Sequence, residues 1–464
     1  PAPDAPAPEA PAPAPAQATG DGPQSIVLIT MDTVRGDFMT FAGQKHPTTP
    51  YLQSLADEGV SFTQAFAPCS WTAPSMASIM TGVYPTTHGV NTGNFNSKTG
   101  EVRQPILGES MSTLAETMKA AGYTTIGVPS NRHLAAELGF NQGFDFYVDK
   151  SPFLEADAVN KNVRKKMVEA YGENWKTEWK NKKTFLWIHY FDPHIPFKIH
   201  DKMTEFAPDY ETNKDAYPAN LRTPAMEARY ATSTADDVGR VRATYAQEVR
   251  FLDEKIQEIG GELGLDDPNV ATLVTSDHGE ELLDHKSVSH GKTLFNEVVR
   301  IPFLVHWTGG GLKPRSINQP VSLLDVLPTL AELAGGEIPE EVQGVSLVDV
   351  LKGTADPPES RDLVFELKPR HGGPPYLLVG VTDGTHKLVR SLEPGKQAAT
   401  LYNLKSDDAE LSDLISSKAD VAAALEAKMT KILGGLPVAG DVEELQTTDP
   451  ELLKELEALG YIGD

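Results

Sequence analysis

Three side chains of the types that bind divalent cations come directly after hydrophobic stretches of the sequence. Asp32 follows one such stretch, and the adjacent residues Asp277 and His278 follow another. Carboxylate and imidazole groups are ligands for cations of the Zn, Mn or Ca type. We therefore predict that these three residues and Thr72 hold a divalent metal ion. The ligands leave open which metal is bound, and whether there are one or two ions.

The hydroxyl of Thr72 is the predicted nucleophile. Proline is favoured at the first helical position, so Pro74 predicts a helix that begins there, with Thr72 at its cap. The dipole and free N–H groups of a helix N-terminus favour an anion. Coordination to a dication lowers the pKa of a hydroxyl enough for attack near neutral pH. A purely structural N-cap is the alternative role for Thr72.

Cys69, the only cysteine of the chain, is an alternative nucleophile three residues before Thr72. A single cysteine allows no intramolecular disulfide, so pairing says nothing about the redox compartment. The neighbouring sequence has no His or Lys that would lower the pKa of the thiol, and buried cysteines are common. We therefore favour the hydroxyl of Thr72.

Two histidines are candidates for contact with the substrate, which we expect to be an anionic ester. His194 and His290 could protonate the leaving group, bind the ester oxygens, or hold a second metal together with Asp192. Four more polar residues of nearby loops are candidates for a second metal or for substrate binding: Asn91, Asn94, Asn131 and Lys292.

Alternating strands and helices are predicted to position these residues. The predicted strands are 25–30, 124–128, 184–190, 270–275 and 301–306, and the predicted helices are 48–59, 113–121 and 240–260. This alternation is typical of an α/β fold with a large, mostly parallel sheet sandwiched by helices. The carboxyl ends of parallel strands meet at one edge, where open α/β sheets bind ligands.

The pattern changes after about residue 355. Short strands are predicted at 363–367, 376–381, 386–390 and 401–404, with a helix at 413–433. We expect a smaller α+β subdomain with an antiparallel sheet. Residues 443–464 are acidic with a leucine stripe and are predicted to dock back as a short helix. The predicted organisation is a tether (1–23), a catalytic domain (24–355) and a C-terminal subdomain with its docking tail (356–464).

Composition restricts the partners of the 464-residue chain. Its apolar fraction of 40% suits a globular core, and its formal net charge of −24 argues against nucleic acid or an anionic membrane as a partner. We expect a small anionic ester as substrate, with positive charge supplied by the metal. No apolar run approaches the ~20 residues of a membrane span.

The first 23 residues are rich in Pro and Ala, which is typical of an extended tether. Tethers of this kind often separate a catalytic domain from an envelope anchor. We therefore expect an exported bacterial protein, periplasmic or tethered to the cell envelope, with an N-terminal lipid anchor as a candidate partner.

From Ser25 to Gly463 the chain resembles the sulfatase-like branch of the alkaline phosphatase superfamily. The resemblance rests on five stretches: Ile29 to Asp37, Pro74 to Gly89, Asp-Pro-His-x-Pro at Asp192, Ser-Asp-His-Gly-Glu-Glu from Ser276, and Leu-Tyr-Asn-Leu from Leu401. It implies a metal held by Asp32, Thr72, Asp277 and His278. It also implies that His194 and His290 face the ester.

The chain departs from the sulfatase pattern at the nucleophile. Sulfatases carry Cys-x-Pro-x-Arg or Ser-x-Pro-x-Arg, whose first residue is oxidised to formylglycine. Here Thr72 holds that position, Pro74 follows, and Met76 replaces the arginine. Threonine cannot become that aldehyde, so no formylglycine is expected. Thr33 stands where a second acidic ligand is usual, and His290 where a sulfate-binding lysine is frequent.

A threonine nucleophile with Asp and His ligands resembles the phosphatases, phosphodiesterases and phosphoethanolamine transferases of the superfamily. The leading hypothesis is a metal-dependent hydrolase of phosphate esters that works through a covalent Thr72 intermediate. Its substrate is a phosphodiester, a phosphonate monoester or a phosphomonoester. One alternative is a sulfatase that works without formylglycine, and another is a non-catalytic family member.

Overall fold

The computed structural model describes residues 22–91, the backbone of 94–96, and residues 101–150, 153–214, 230, 232–356, 361–368, 376–393 and 395–450. Most of the predicted tether lies outside these residues, as does the leucine stripe of the predicted tail (Leu452, Leu453, Leu456 and Leu459). Within the described part, no helix combines the length and apolar character needed to cross a bilayer.

Strands alternate with helices through most of the described chain. The strands are β1 (Ser25–Met31), β2 (Val60–Phe66), β3 (Asn94–Asn96), β4 (Glu101–Pro105), β5 (Thr124–Val128), β6 (Phe146–Tyr147), β7 (Thr184–Tyr190), β8 (Val270–Ser276), β9 (Glu281–Leu282), β10 (Val288–Ser289), β11 (Arg300–His306), β12 (Arg315–Ile317), β13 (Val321–Ser322), β14 (Leu363–Leu367), β15 (Leu378–Thr382), β16 (His386–Ser391), β17 (Thr400–Asn403) and β18 (Glu444–Thr447).

The helices cover both faces of the central sheet and part of the C-terminal sheet. They are α1 (Pro50–Asp57), α2 (Thr72–Thr81), α3 (Pro85–His88), α4 (Leu114–Ala120), α5 (Ala156–Tyr171), α6 (Trp175–Glu178), α7 (Met203–Phe206), α8 (Ala235–Leu263), α9 (Asn296–Val299), α10 (Val326–Leu333), α11 (Val348–Lys352) and α12 (Ala419–Gly435).

The central sheet confirms the predicted α/β fold. Its strand order is β12-β2-β11-β8-β1-β7-β5-β6, and β13 also pairs with β2. β1 pairs in parallel with β7 and β8, and β5 pairs in parallel with β7. The carboxyl ends of β1, β5, β7 and β8 therefore meet at one edge.

Two features of the sheet were not predicted from the sequence. The strand predicted at 301–306 is β11, and it runs antiparallel to both of its neighbours, β2 and β8. β2 was not among the predicted strands. Its sequence Val-Ser-Phe-Thr-Gln-Ala-Phe includes polar residues, and the Thr and Gln are only partly buried, so it lacks the apolar run of the other strands.

Strand β1 lies at the centre of the sheet, and all of its residues are buried. Ile26 and Leu28 pack with α2, α4 and α10 on one face, whereas Val27 and Ile29 pack with α1, α5 and α8 on the other. Neighbouring strand residues point to opposite faces, so a strand covered on both sides must be apolar throughout.

The C-terminal subdomain is an antiparallel sheet with one packed helix, as predicted. Its strand order is β14-β15-β16-β17, and α12 packs on it through Ala422, Leu425 and Met429. The tail does not begin as the predicted helix. Its first described part is strand β18, which pairs antiparallel with β4 in a separate three-stranded sheet.

Candidate active site

The carboxyl ends of β1 and β8 bring two aspartates together. Met31, the last residue of β1, pairs with Ser276, the last residue of β8, so Asp32 and Asp277 follow at the same level. The Asp277 N–H donates to the carbonyl of Met31 at 3.2 Å. Both aspartates are fully buried. The sheet register alone therefore explains why residues far apart in sequence form one site.

Each aspartate is held by hydrogen bonds. Asp277 Oδ1 accepts the backbone N–H groups of His278 at 2.7 Å and of Thr33 at 3.2 Å. Thr33 has a φ of 59°, a left-handed conformation uncommon for threonine, and this turns its N–H toward Asp277. Asp32 Oδ2 accepts a hydrogen bond from Asn131 Nδ2 at 2.6 Å. Thus Thr33, which stands where sulfatases usually have a second acidic ligand, orients Asp277 through its backbone N–H, and Asn131 positions Asp32.

The imidazole of His278 faces both aspartates and Thr72. Its Nδ1 lies 2.8 Å from the carbonyl of Gly279, which can only accept, so Nδ1 carries the proton. The lone pair on Nε2 then points into the site, 3.5 Å from Asp277 Oδ2 and 3.8 Å from Asp32 Oδ1. Thr72 Oγ1 lies 3.3 Å from the same Nε2. The structure thus brings the four predicted metal ligands together.

Thr72 is the first residue of α2 rather than its cap. The prediction that Pro74 begins the helix is wrong by two residues: Trp71 precedes the helix, and its carbonyl accepts the N–H of Ser75 at 3.3 Å. Pro74 still stands in the first turn, where a missing N–H costs no hydrogen bond. The Thr72 hydroxyl therefore lies at the positive end of a ten-residue buried helix.

Cys69 is buried in the apolar core with Trp71 and Met76, and its exposed fraction is 2%. Its carbonyl accepts the hydroxyl of Ser75 at 2.7 Å, which fixes the loop before α2. The thiol is therefore part of the packing beside Thr72.

His290 and His194 form a line of rings that starts at His278. The ring centroid of His290 is 4.4 Å from that of His278 and 5.1 Å from that of His194. Nδ1 of His290 lies 3.1 Å from Glu280 Oε1 and donates to it, so Nε2 is the nitrogen offered to a ligand. Nδ1 of His194 donates to the carbonyl of Ile195 at 2.5 Å. Glu280, within a motif that the sequence singled out, is a positioning residue missed from sequence.

The other predicted site residues have different surroundings. Asn91 donates to the carbonyl of Pro85 at 2.9 Å and fixes the end of α3, so this contact is structural. The side chain of Asn94 lies outside the described residues. Lys292 lies near Glu281, whose pKa is raised to about 7 mainly by burial and by Glu297, with Lys292 opposing the shift. Asp192 lines a cavity beside His194.

His189 was missed from the sequence. It lies in β7 opposite Thr30 of β1, and Nε2 is 3.7 Å from Asp32 Oδ2. Within the described residues, Asp32, His189 and Asp277 form the group whose ligand atoms all lie within 4.8 Å of one another. Burial lowers the pKa of His189 to about 4, so the ring is neutral and able to act as a ligand. A polar residue inside an otherwise apolar strand was the available signal.

A divalent cation fits this group of side chains. Burial and the charge of Asp32 raise the pKa of Asp277 well above its ordinary value. Asp277 Oδ2 and His189 Nε2 make no hydrogen bond with the described residues, although both atoms are buried. Two buried carboxylates with neutral imidazoles nearby are the donor set that a Zn, Mn or Ca type ion uses. Asp32, Asp277, His278, Thr72 and His189 are the candidate ligands.

Comparison with solved structures shows where the same fold occurs. A solved 2-O GAG sulfatase has a TM-score of 0.68 and 19% identity, covering 90% of this chain and 95% of the other. The phosphonate monoester hydrolase of Agrobacterium radiobacter has a TM-score of 0.66 and 20% identity, covering 89% and 95%. These matches show that the chain shares the fold of both structures.

The sequence comparisons identify the family. Residues 24–336 match the family model described as Sulfatase, and residues 287–434 match that described as N-sulphoglucosamine sulphohydrolase, C-terminal. An ulvan-active sulfatase from Formosa agariphila is 27% identical over 386 residues, 76% of this chain and 70% of the relative. The chain therefore belongs to the sulfatase family, and it is a sulfatase-like hydrolase that acts on ester bonds.

Proposed function

We propose that the protein hydrolyses phosphate esters by forming a covalent intermediate on Thr72. The substrate is a phosphodiester, a phosphonate monoester or a phosphomonoester. The observation that carries the proposal is the position of Thr72 Oγ1, 3.3 Å from His278 Nε2 at a helix N-terminus and beside two buried carboxylates. The same Nε2 atom lies 3.5 Å from Asp277 Oδ2 and 3.8 Å from Asp32 Oδ1, so the hydroxyl belongs to one group with the candidate metal ligands.

A divalent cation bound by these ligands would lower the pKa of the neighbouring hydroxyl and offset negative charge on the ester oxygens. The chain supplies the remaining groups. The proton of Thr72 Oγ1 passes to solvent water, and Oγ1 attacks phosphorus, forming an Oγ1–P bond as the bond to the leaving alcohol breaks. The leaving oxygen takes up one proton, and His290 is the candidate donor. Its Nδ1–H is held by Glu280, so Nε2 is the atom that carries and delivers this proton.

The chemistry of threonine favours phosphate over sulfate. Its side chain is a secondary alcohol, which cannot be oxidised to the aldehyde that sulfatases use. The carbon bearing Oγ1 therefore has no second hydroxyl that could expel the bound group. Release must occur by attack of water on the central atom, which breaks the Oγ1–P bond and restores the Thr72 hydroxyl.

A sulfatase that works without formylglycine is the second candidate. The observation that favours it is the predominance of sulfatases among the relatives, including the ulvan-active sulfatase. A phosphonate monoester hydrolase has the same fold, so the fold alone supports either ester.

The test compares Thr72→Ala and Thr72→Ser on p-nitrophenyl phosphate, bis(p-nitrophenyl) phosphate, p-nitrophenyl phenylphosphonate and p-nitrophenyl sulfate, with Zn, Mn or Ca added. We expect Thr72→Ala to lose at least about 10³-fold in kcat, and Thr72→Ser to keep part of the activity. Acid quenching and mass spectrometry should find the phosphoryl group on Thr72.

Thr81→Ala is the matched control, because Thr81 lies in the same buried helix and its hydroxyl donates to the Ala77 carbonyl at 2.7 Å. Full turnover by Thr72→Ala would show that Thr72 is not the nucleophile. Turnover of the sulfate ester alone would favour the second candidate, and no turnover of any ester would favour a non-catalytic role.

A further inference from the structure

A cavity of about 530 Å³ adjoins the proposed ester site. His194 forms part of its wall, and the His194 ring is 5.1 Å from that of His290. Phe191 stacks on His194 with centroids 4.4 Å apart, and Phe153 packs on Phe191 at 4.8 Å. Two aromatic rings thus continue the line of histidines from the ester site into the cavity.

The cavity wall also contains a carboxyl oxygen that has no hydrogen-bond partner within the described part of the chain. Asp192 is only 8% exposed, and its Oδ2 makes no hydrogen bond with the described residues. Burial and the nearby charge of Glu248 raise the pKa of Asp192 to about 7. Lys198 lines the same cavity, but its Nζ forms an ion pair with Glu155. Asp192 therefore lies in the cavity wall with an unsatisfied acceptor.

Glu248 adds a second buried carboxylate beside Asp192. It is 3% exposed and is held by the backbone N–H of Lys198 and by His200, whose Nε2 lies 2.9 Å from Oε2. Two neighbouring carboxyl groups in a cavity with aromatic walls favour a cationic ligand.

An organic cation fits the cavity better than a metal ion. Among the described residues, the group with metal-binding geometry is that of Asp32, His189 and Asp277, and Asp192 is not part of it. Aromatic rings offer no ligand atoms to a hard metal ion, whereas their faces attract ammonium groups.

We propose that this cavity binds an ammonium group, primary or quaternary, on the alcohol portion of the ester substrate. Asp192 and Glu248 provide the countercharge, and Phe153 and Phe191 provide the aromatic walls. The proposal rests on the proposed function, since it assigns the substrate class of the same site. The preferred substrate is then a zwitterionic ester, anionic at Thr72 and cationic at the cavity.

The test uses two diesters of the same shape: p-nitrophenyl phosphorylcholine and its uncharged analogue, 3,3-dimethylbutyl p-nitrophenyl phosphate. We expect kcat/KM to favour the cationic diester by at least about tenfold, mainly through a lower KM. Cation–π and charge interactions together can strengthen binding by such a factor. In Asp192→Asn, and to a smaller extent in Phe153→Leu, this ratio should fall toward one.

Binding of tetramethylammonium, measured by calorimetry on the metal-loaded protein, provides a readout without turnover. We expect binding that Asp192→Asn weakens at least about tenfold and Phe153→Leu weakens less. Glu393→Gln is the matched control, because Glu393 is an exposed carboxylate of the C-terminal subdomain. Thermal melting establishes that each variant is folded.

The two proposals fail in different ways. If neither diester is hydrolysed, the proposed function is wrong, and tetramethylammonium binding still decides whether the cavity accepts an ammonium group. If both diesters are hydrolysed equally and tetramethylammonium does not bind, the ammonium site is wrong. Calcium binding that Asp192→Asn abolishes, without tetramethylammonium binding, would assign the cavity to a metal ion and also overturn the proposal.

Discussion

Asp32 and Asp277 face each other in the interior of the protein, and a buried carboxylate pair requires either a proton or a cation. The hydrogen bonds from Asn131, Thr33 and His278 orient these carboxylates without neutralising them. A dication bound here would offset both charges, and its affinity would depend on the residues that orient the ligands as well as on the ligands themselves.

At the residue scale, we predict that His189→Gln lowers metal affinity about 10- to 100-fold. Nε2 of His189 is 3.7 Å from Asp32 Oδ2 and belongs to the buried three-residue group, so its removal takes away a neutral donor. The measurement is equilibrium dialysis followed by metal analysis, which does not depend on activity.

His306→Gln is the matched control for His189. His306 is also a buried strand histidine, but it pairs with Thr272, near the beginning of β8 and away from Asp277. Unchanged metal content in His189→Gln would exclude this histidine from the metal site.

The sequence predicted the residues of the site where they follow strands. Asp32, Asp277 and His278 could be found because polar residues after an apolar run are conspicuous. His189 left only the weaker signal of a polar residue inside a largely apolar strand, since nothing in one sequence says that β7 lies beside β1 with His189 opposite Thr30. Asn91 was predicted as a site residue because of its residue type, but its side-chain amide donates a hydrogen bond to the nearby carbonyl of Pro85.

At the element scale, apolar runs predicted where strands occur, but they did not show which strand of the mostly parallel sheet runs antiparallel. β5 and β7 have the predicted bounds, and β11 was found within one residue. The antiparallel pairing of β11 depends on partners that its own residues do not reveal. β2 was missed because its sequence is partly polar, although its backbone pairs with β11, β12 and β13.

A network of charged side chains connects the loops that carry the site. Arg35, in the loop after β1, binds Asp37 at 2.8 Å and Asp284 at 2.7 Å, and it donates to the carbonyl of Glu280 at 3.2 Å. Arg242 of α8 binds Asp284 at 2.7 Å as well. Because Glu280 orients His290, this network positions a predicted catalytic histidine.

We predict that Asp37→Asn lowers the free energy of unfolding by about 2 kcal/mol at pH 7. Burial alone would raise the pKa of Asp37, but the charges of Arg35 and Arg242 lower it below its ordinary value. A group with a lowered folded-state pKa adds stability above the ordinary pKa of about 4, and this stability is lost as the pH falls.

Urea unfolding of both proteins between pH 7 and pH 3.5 measures the effect. The difference between them should shrink toward the acidic end. Asp201→Asn, at an exposed carboxylate, is the control and should change little at any pH. A difference that stays constant with pH would contradict the assigned role of Asp37.

At the scale of the whole molecule, a buried ion pair of the C-terminal subdomain is hydrogen-bonded to helix α9. Lys387 of β16 lies 2.7 Å from Glu410 and 3.0 Å from the side-chain oxygen of Asn296 in α9, and the side chains of the pair are fully buried. Glu410 also accepts the N–H of Asn296 at 2.5 Å. The C-terminal subdomain is thus attached to the element that precedes β11.

Removing one member of this pair should leave an uncompensated buried charge. We predict that Lys387→Met costs about 3 kcal/mol or more, and that Lys387→Met with Glu410→Leu recovers much of the loss. Urea unfolding is the measurement. Lys428→Met is the control, since Lys428 and Asp362 form a partly exposed pair worth no more than about 1 kcal/mol. If Lys387→Met alone were as stable as the wild type, the predicted cost of the uncompensated buried charge would be contradicted.

The pairing of β18 with β4 has a consequence for handling the protein. β4 has β3 on its other side, so β18 covers its remaining edge. A chain shortened to end before Glu444 would leave the backbone N–H and carbonyl groups of β4 open to pairing with another molecule. Such a truncated protein would be prone to aggregate at high concentration even if its ester site stayed intact. Expression trials should therefore keep β18.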